Sequence, residues 1–261
     1  MPDSKKSALT ILGSGTCVPS LERSACSALL QVNNSRLLFD LGPGTMRRLL
    51  EADTPVFDVG FICISHFHPD HTGELVPFLF ASKYPAAHRR LSPLTIIAAH
   101  GFSDFFGGLK QVYGEWIELA PEVLSVIELN TAGPDMRRFS DFVLKSIPVT
   151  HRKESIALRI EGADGISIVY SGDTDFSENL IRLAAGADIL ICESALPDDM
   201  KVAGHLTPSL AGKIASAAGV KKLVLTHFYP ECDTADIAGQ CRKTYAGPLI
   251  LASDLMQVDL A

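Results

Sequence analysis

The chain has no apolar run approaching the ~20 residues of a membrane-spanning helix, so a helical membrane span is not expected. It also lacks a basic excess. Lys and Arg number 23 against 30 Asp and Glu, for a net charge of −7, and no basic run is longer than a pair such as Arg47-Arg48 or Lys221-Lys222. Phosphate contacts dominate nucleic-acid affinity, so RNA or another large polyanion is disfavoured as a partner. None of the six cysteines forms a C-x-x-C pair, which argues against a zinc ribbon or a thioredoxin-like site. Met1-Pro2-Asp3-Ser4-Lys5-Lys6 has none of the apolar core of a secretory signal. A disulfide framework is therefore not expected, and a cytoplasmic location is. Cys63 and Cys192, inside apolar runs, read as small core residues. Internal repeats and low-complexity linkers are missing too.

What remains is an ordinary globular balance, 47% hydrophobic and 20% charged over 261 residues. That length buries enough surface for a stable core, and a single domain over 1–261 is expected. Strands are expected at about 8–13, 25–32, 36–41 and 59–65, with Asn33-Asn34 as a tight hairpin turn. The second half alternates: strands at about 142–149, 155–160, 166–171, 188–192, 222–226 and 249–252, with helices near 179–185 and 237–245. Thr207-Pro208 reads as a helix start with proline in the first turn, and Gly219 as its stop. Residues 84–141, rich in aromatics, Gly and Pro, read as a helical and loop insertion, packed down or forming the wall or lid of a pocket. The pattern is that of an α/β layered protein.

Ser65-His66-Phe67-His68-Pro69-Asp70-His71 carries the chemistry. Imidazole nitrogen and carboxylate oxygen both suit zinc. In an extended segment His66 and His68 point the same way and can grip one ion. Beyond Pro69 the chain turns, so Asp70 and His71 can face a second. Three histidines within six positions are far from chance when the whole chain holds eight. Further ligand types stand just after expected strands: His151, Asp173 in Ser171-Gly172-Asp173-Thr174, and His227. Strand ends are where α/β folds gather their sites.

His-x-His-x-Asp-His, followed in order by His151, Asp173 and His227, resembles the metallo-β-lactamase superfamily over nearly the whole chain. The resemblance implies a four-layer αββα fold. It implies one metal on His66, His68 and His151, a second on Asp70, His71 and His227, and Asp173 bridging both. The ions implied are divalent, zinc first, with manganese and iron(II) also compatible with such ligands. Asp40, in Phe39-Asp40-Leu41-Gly42, matches a position that supports a ligand histidine from behind; a helix-entry cap is the alternative.

Leu12-Gly13-Ser14-Gly15-Thr16, with Pro19 and Arg23, is similar to the opening of the ribonuclease Z-like, phosphodiesterase branch. Gly204-His205-Leu206-Thr207, with His205 22 residues before His227, resembles that branch's His-Ser-Thr motif, with leucine at the middle position. The resemblance makes His205, Asp70 and Glu193 the catalytic candidates, His205 as proton donor or phosphate contact. Arg152 beside His151 reads either as a charge contact or as a surface ion pair. One departure decides the substrate class. Ribonuclease Z inserts a long arm that grips transfer RNA between the ligands matching His151 and Asp173, and here those two are only 22 positions apart. The resulting expectation is a dinuclear hydrolase, a phosphodiesterase using a metal-bridging hydroxide on a small or flexible phosphodiester. Arylsulfate, lactone or thioester hydrolysis and an RNA endonuclease are the alternatives. Relatives of this kind are often homodimers, and a homodimer is the expected assembly.

Overall fold

In the computed structural model, residues 7–260 are described; the Met1–Lys6 lead-in used above lies outside them. The described chain forms fourteen strands in two seven-stranded sheets. The first sheet holds β1 (Ala8–Gly13), β2 (Ser27–Val32), β3 (Ser35–Phe39), β4 (Phe61–Cys63), β5 (Leu94–Ala99), β6 (Leu124–Leu129) and, returning from the far end of the chain, β14 (Met256–Val258). The second holds β7 (Asp135–Arg138), β8 (Phe142–Pro148), β9 (Ile156–Gly162), β10 (Ser167–Tyr170), β11 (Ile189–Glu193), β12 (Lys222–Thr226) and β13 (Leu249–Leu251). Each sheet is antiparallel in one half and parallel in the other: β14-β1-β2-β3 then β4-β5-β6, and β7-β8-β9-β10 then β11-β12-β13.

Period-two alternation divides the apolar residues between two layers. In β3, Leu37 and Phe39 enter the core between the sheets, whereas Leu38 joins the core beneath the outer helices. Cys63 against Ile62 and Ile64, and Ile97 against Ile96, divide in the same way. Helices α1 (Thr45–Glu51), α2 (Pro69–Thr72), α3 (Leu75–Lys83) and α4 (Phe102–Tyr113) belong to the first half, and Leu49, Phe78 and Phe102 close its outer core. Helices α5 (Glu178–Ala184), α6 (Pro208–Ala218) and α7 (Ile237–Arg242) cover the second sheet through Leu180, Ile214 and Ile237. This is the expected αββα sandwich. No helix among the described residues is long and apolar enough to cross a membrane.

One expectation needs correction. Residues 84–141 are not a helical and loop insertion: they supply β5, α4, β6 and the edge strand β7. Apart from Thr95, Leu94–Ala99 is apolar and buried on both faces in a parallel sheet, and such a run carries no clear period. Thr207 does precede Pro208 at the start of α6, but its side chain makes no capping hydrogen bond.

Candidate metal centre

Each chemically informative side chain lies just past a strand end. Asp40 follows β3, Ser65 to His71 follow β4, and His151, Asp173 and His227 follow β8, β10 and β12. His68 is extended, φ −63° and ψ 150°, and Pro69 then opens the short helix α2 that carries Asp70 and His71. The first sheet thus delivers four of these donors and the second sheet three. Asp40 and His227 hold positive φ, 52° and 61°, a conformation non-glycine residues adopt at a cost and often at functional sites.

The seven predicted donors converge. His151 Nε2 is 3.2 Å from His68 Nδ1, and Asp173 Oδ2 is 3.6 Å from His66 Nε2 and 3.8 Å from His151 Nε2. On the other side, Asp173 Oδ1 is 3.2 Å from His71 Nε2 and 3.3 Å from His227 Nε2. Asp70 Oδ2 closes that group at 3.8 Å from His71 Nε2 and 3.6 Å from His227 Nε2. Donors held 2.0–2.2 Å from a tetrahedral zinc lie about 3.3–3.6 Å from one another, so both groups have the right spacing. The two oxygens of Asp173 face different groups, which is the arrangement of a bridge.

The outer hydrogen bonds set the tautomers. His151 Nδ1 donates to the Gly204 carbonyl at 2.9 Å, and a carbonyl can only accept. His71 Nδ1 donates to Asp40 Oδ2 at 2.8 Å. Ser65 Oγ gives its proton to Asp40 Oδ2, so it accepts from His66 Nδ1 at 3.0 Å. All three rings therefore carry a proton on Nδ1 and turn Nε2 inward. His66 Nε2, His71 Nε2, His227 Nε2 and Asp173 Oδ1 are buried with no hydrogen-bond partner. Orphaned buried polar atoms are costly. Four of them aimed at two points make this donor set fit two divalent cations.

The electrostatics agree. Burial presses His66 well below the ordinary histidine range, with His71 adding to the effect. Burial opposes charge on His71 as well, but Asp173 and Asp40 outweigh it and hold the imidazolium well above that range. Burial likewise works against the Asp173 carboxylate, yet His227 and His71 keep it ionised well below the usual range. Burial opposes ionised Asp70, and the nearby His227 and His71 draw it down to about 2. The protein pre-charges its carboxylates for a cation.

Asp40 takes the supporting role and not the helix cap. It accepts from His71 Nδ1, Ser65 N (2.7 Å), Ser65 Oγ and Tyr170 Oη (2.8 Å). His205 lies beside the cluster, its Nδ1 bonded to Glu193 Oε1 at 3.0 Å and its ring stacked 5.6 Å from that of His227. Its side chain caps no helix. Glu193 is corrected in position: it is 1% exposed, and its oxygens are taken by His205 and the N–H groups of Thr174, Ala195 and Leu206. It stands behind His205 and cannot touch a substrate. Arg152 is exposed and makes no ion pair among the described residues. Ser65, Tyr170 and the Gly204 carbonyl are partners that sequence reasoning missed. Only Gly204, a glycine abutting His205, carried a visible signal.

The family described as a beta-lactamase superfamily domain matches residues 35–228, which contain every one of these residues. The chain belongs to the metallo-β-lactamase superfamily. Within that superfamily it is similar to the ribonuclease Z of Streptomyces avermitilis, 28% identical with 96% of each chain covered. Two solved structures share the fold closely. The metallo-β-lactamase fold protein YhfI of Bacillus subtilis superposes with a TM-score of 0.82 at 22% identity, covering 97% of this chain and 98% of its own. The short form of human tRNase Z gives 0.76 at 26% identity, covering 97% and 99%. The Streptomyces alignment runs over 312 positions against the 261 residues here, so at least 51 positions of the relative have no counterpart in this chain. Between His151 and Asp173 only β9 and β10 intervene.

Proposed function

We propose that the protein is a cytoplasmic, dinuclear metal-dependent phosphodiesterase acting on a small or flexible phosphodiester. The observation that carries this reading is the two-sided environment of Asp173, with one oxygen toward His66 and His151 and the other toward His71 and His227. His66, His68 and His151 hold one ion, Asp70, His71 and His227 the other, and zinc is the first candidate for both. When bound, two divalent cations acidify a water and neutralise charge on a phosphoryl oxygen.

The chain's own residues do the rest. Glu193 holds His205 by Nδ1, which leaves Nε2 as the atom that meets the substrate. Burial works against the His205 imidazolium, but Glu193 outweighs it and raises its pKa. His205 Nε2 donates a proton to the departing oxygen. Asp40 and the Gly204 carbonyl hold the Nδ1 protons of His71 and His151 and so aim Nε2 of each ring at the centre. The 22-position spacing without an arm and the net charge of −7 weigh against transfer RNA as substrate. Six free cysteines, five of them buried, suit a reducing compartment.

The test is a hydrolysis panel on metal-quantified protein: bis-p-nitrophenyl phosphate, cyclic nucleotides, an aryl sulfate, a lactone, a thioester and precursor transfer RNA. The expected result is turnover of phosphodiesters at about two metal equivalents. Turnover confined to the sulfate, lactone or thioester would replace the substrate class. Preferential cleavage of precursor transfer RNA would restore the endonuclease.

A further inference from the structure

A hydrogen-bonded ring surrounds His151, and Asp175 closes it. The Asp175 backbone N–H donates to the carbonyl of Thr150, the residue before His151, at 2.7 Å. Its side-chain Oδ2 accepts from the Gly204 N–H at 2.9 Å. The carbonyl of Gly204 in turn accepts His151 Nδ1–H at 2.9 Å. Asp175 Oδ1 is fixed by the N–H of Phe176 at 2.8 Å, so the carboxylate is not free to swing. Lys201 Nζ reaches the same Oδ2 at 2.8 Å and also donates to the Val202 carbonyl at 2.7 Å, which gathers the loop at its solvent side.

Gly204 fits this place for a stated reason. Its φ is +87°, and a Cβ there would lie 3.1 Å from His151 Nδ1. The peptide that orients His151 therefore lies flat against the imidazole. The next residue along the same loop is His205, whose ring is 4.9 Å from that of His151. One loop thus governs both the tautomer of His151 and the place of His205; Glu193 ties its far side through His205 and Leu206, and the Asp175 carboxylate ties Gly204.

We infer that Asp175 is a positioning residue: through the Gly204 peptide it locks the proton of His151 on Nδ1 and fixes His205 beside the metal centre. The inference rests on His151 as a ligand and His205 as the proton donor. The bond that matters is Gly204 N–H to Asp175 Oδ2. The Lys201 ion pair is half-exposed and contributes little, since such pairs are weak.

Three variants separate these parts, Asp175→Ala, Asp175→Asn and Lys201→Met, with melting temperature recorded for each. The first readout needs no activity: long-range proton–nitrogen spectra of the histidines in metal-free protein, and zinc affinity by chelator competition. Asp175→Ala should lose the Nδ1–H form of His151 and weaken zinc binding by about 10–100-fold, the usual effect of removing a partner behind a ligand. Asp175→Asn keeps an acceptor for Gly204 N–H and should restore both. Lys201→Met should match the parent. Should Asp175→Ala fail to fold, Asp175→Ser, too short to reach Gly204, carries the same expectation. On a phosphodiester that the parent cleaves, the Ala variant should lose kcat more than KM and the Asn variant recover it. An unchanged His151 tautomer and zinc affinity in the Ala variant would overturn the inference, as would an Asn variant as impaired as Ala or a Lys201→Met equal to it. A parent that binds zinc but cleaves no phosphodiester would sink the proposed substrate class and leave the spectra and zinc affinities to decide the role of Asp175.

Discussion

Asp173 is the residue on which both halves of the centre depend. Its oxygens lie 3.2 and 3.3 Å from one pair of imidazole nitrogens and 3.6 and 3.8 Å from another, so no neighbour can replace it. Asp173→Ala should lower bound metal well below the parent's two equivalents and abolish phosphodiester turnover together, as elemental analysis and rate measurement on one preparation would show. A variant that kept two ions and most of its rate would remove the bridge. His205 makes a different prediction because its Nδ1 bonds to Glu193 and not to a ligand. His205→Ala should keep the parent's metal content and lose roughly 10²–10⁴-fold in turnover. The loss should be small for a p-nitrophenolate leaving group, which needs little protonation, and largest for an alkoxide. Equal losses for both would make His205 a phosphate contact. Unaltered rates on every ester would remove His205 from the chemistry.

The end of β3 and the helix α2 are laced together before any metal arrives. Leu41 N donates to the His71 carbonyl and Glu74 N to the Leu41 carbonyl, both at 2.9 Å. Gly42 permits this approach, since a Cβ there would lie 1.8 Å from the Asp70 carbonyl oxygen. Gly42→Ala must therefore push α2 outward. The expected outcome is a loss of about 1–3 kcal/mol in stability, as for other overpacked sites, with weaker metal binding by the Asp70, His71 and His227 group than by the His66, His68 and His151 group. Thermal melts and a two-site metal titration check it, and a variant with both affinities equal to the parent's would detach the placement of Asp70 from this contact. Such close approaches explain what could be read in the sequence. Strands with turn signals beside them, such as β2 and β3 around Asn33-Asn34, were legible nearly to the residue. The converging donors were legible because His and Asp crowd into one short stretch, and because His151, Asp173 and His227 follow in the order that resembles the metallo-β-lactamase superfamily. β5 and β6 were not: their residues are apolar without alternation, or partly exposed at an edge, and local pattern does not separate these cases. Ser65, Tyr170 and Asp175 were invisible because their bonds exist only in the fold: Ser65 and Tyr170 reach Asp40 from the ends of β4 and β10, and Asp175 reaches Gly204 across 29 positions of chain.

The centre is also a joint between the two sheets. His66, His68, Asp70 and His71 come from the sheet that contains β4, and His151, Asp173 and His227 from the sheet that contains β8, β10 and β12. The buried Nε2 atoms of His66, His71 and His227 meet at this joint with no hydrogen-bond partner. A ligand that binds only the folded state adds RT ln(1 + [L]/Kd), about 4.1 kcal/mol at a thousandfold excess over Kd. For a chain of this size that corresponds to roughly 8–16 °C in melting temperature. Stripping the protein with a chelator should lower its melting point by that order, and adding back zinc should restore it. The same treatment of Asp173→Ala should move its melting point far less, because that variant has lost the group that ties the ions to both sheets. Identical melting curves for stripped and zinc-loaded parent protein would mean that the donors from the two sheets do not share a cation. The bridging assignment of Asp173 would then fail with it.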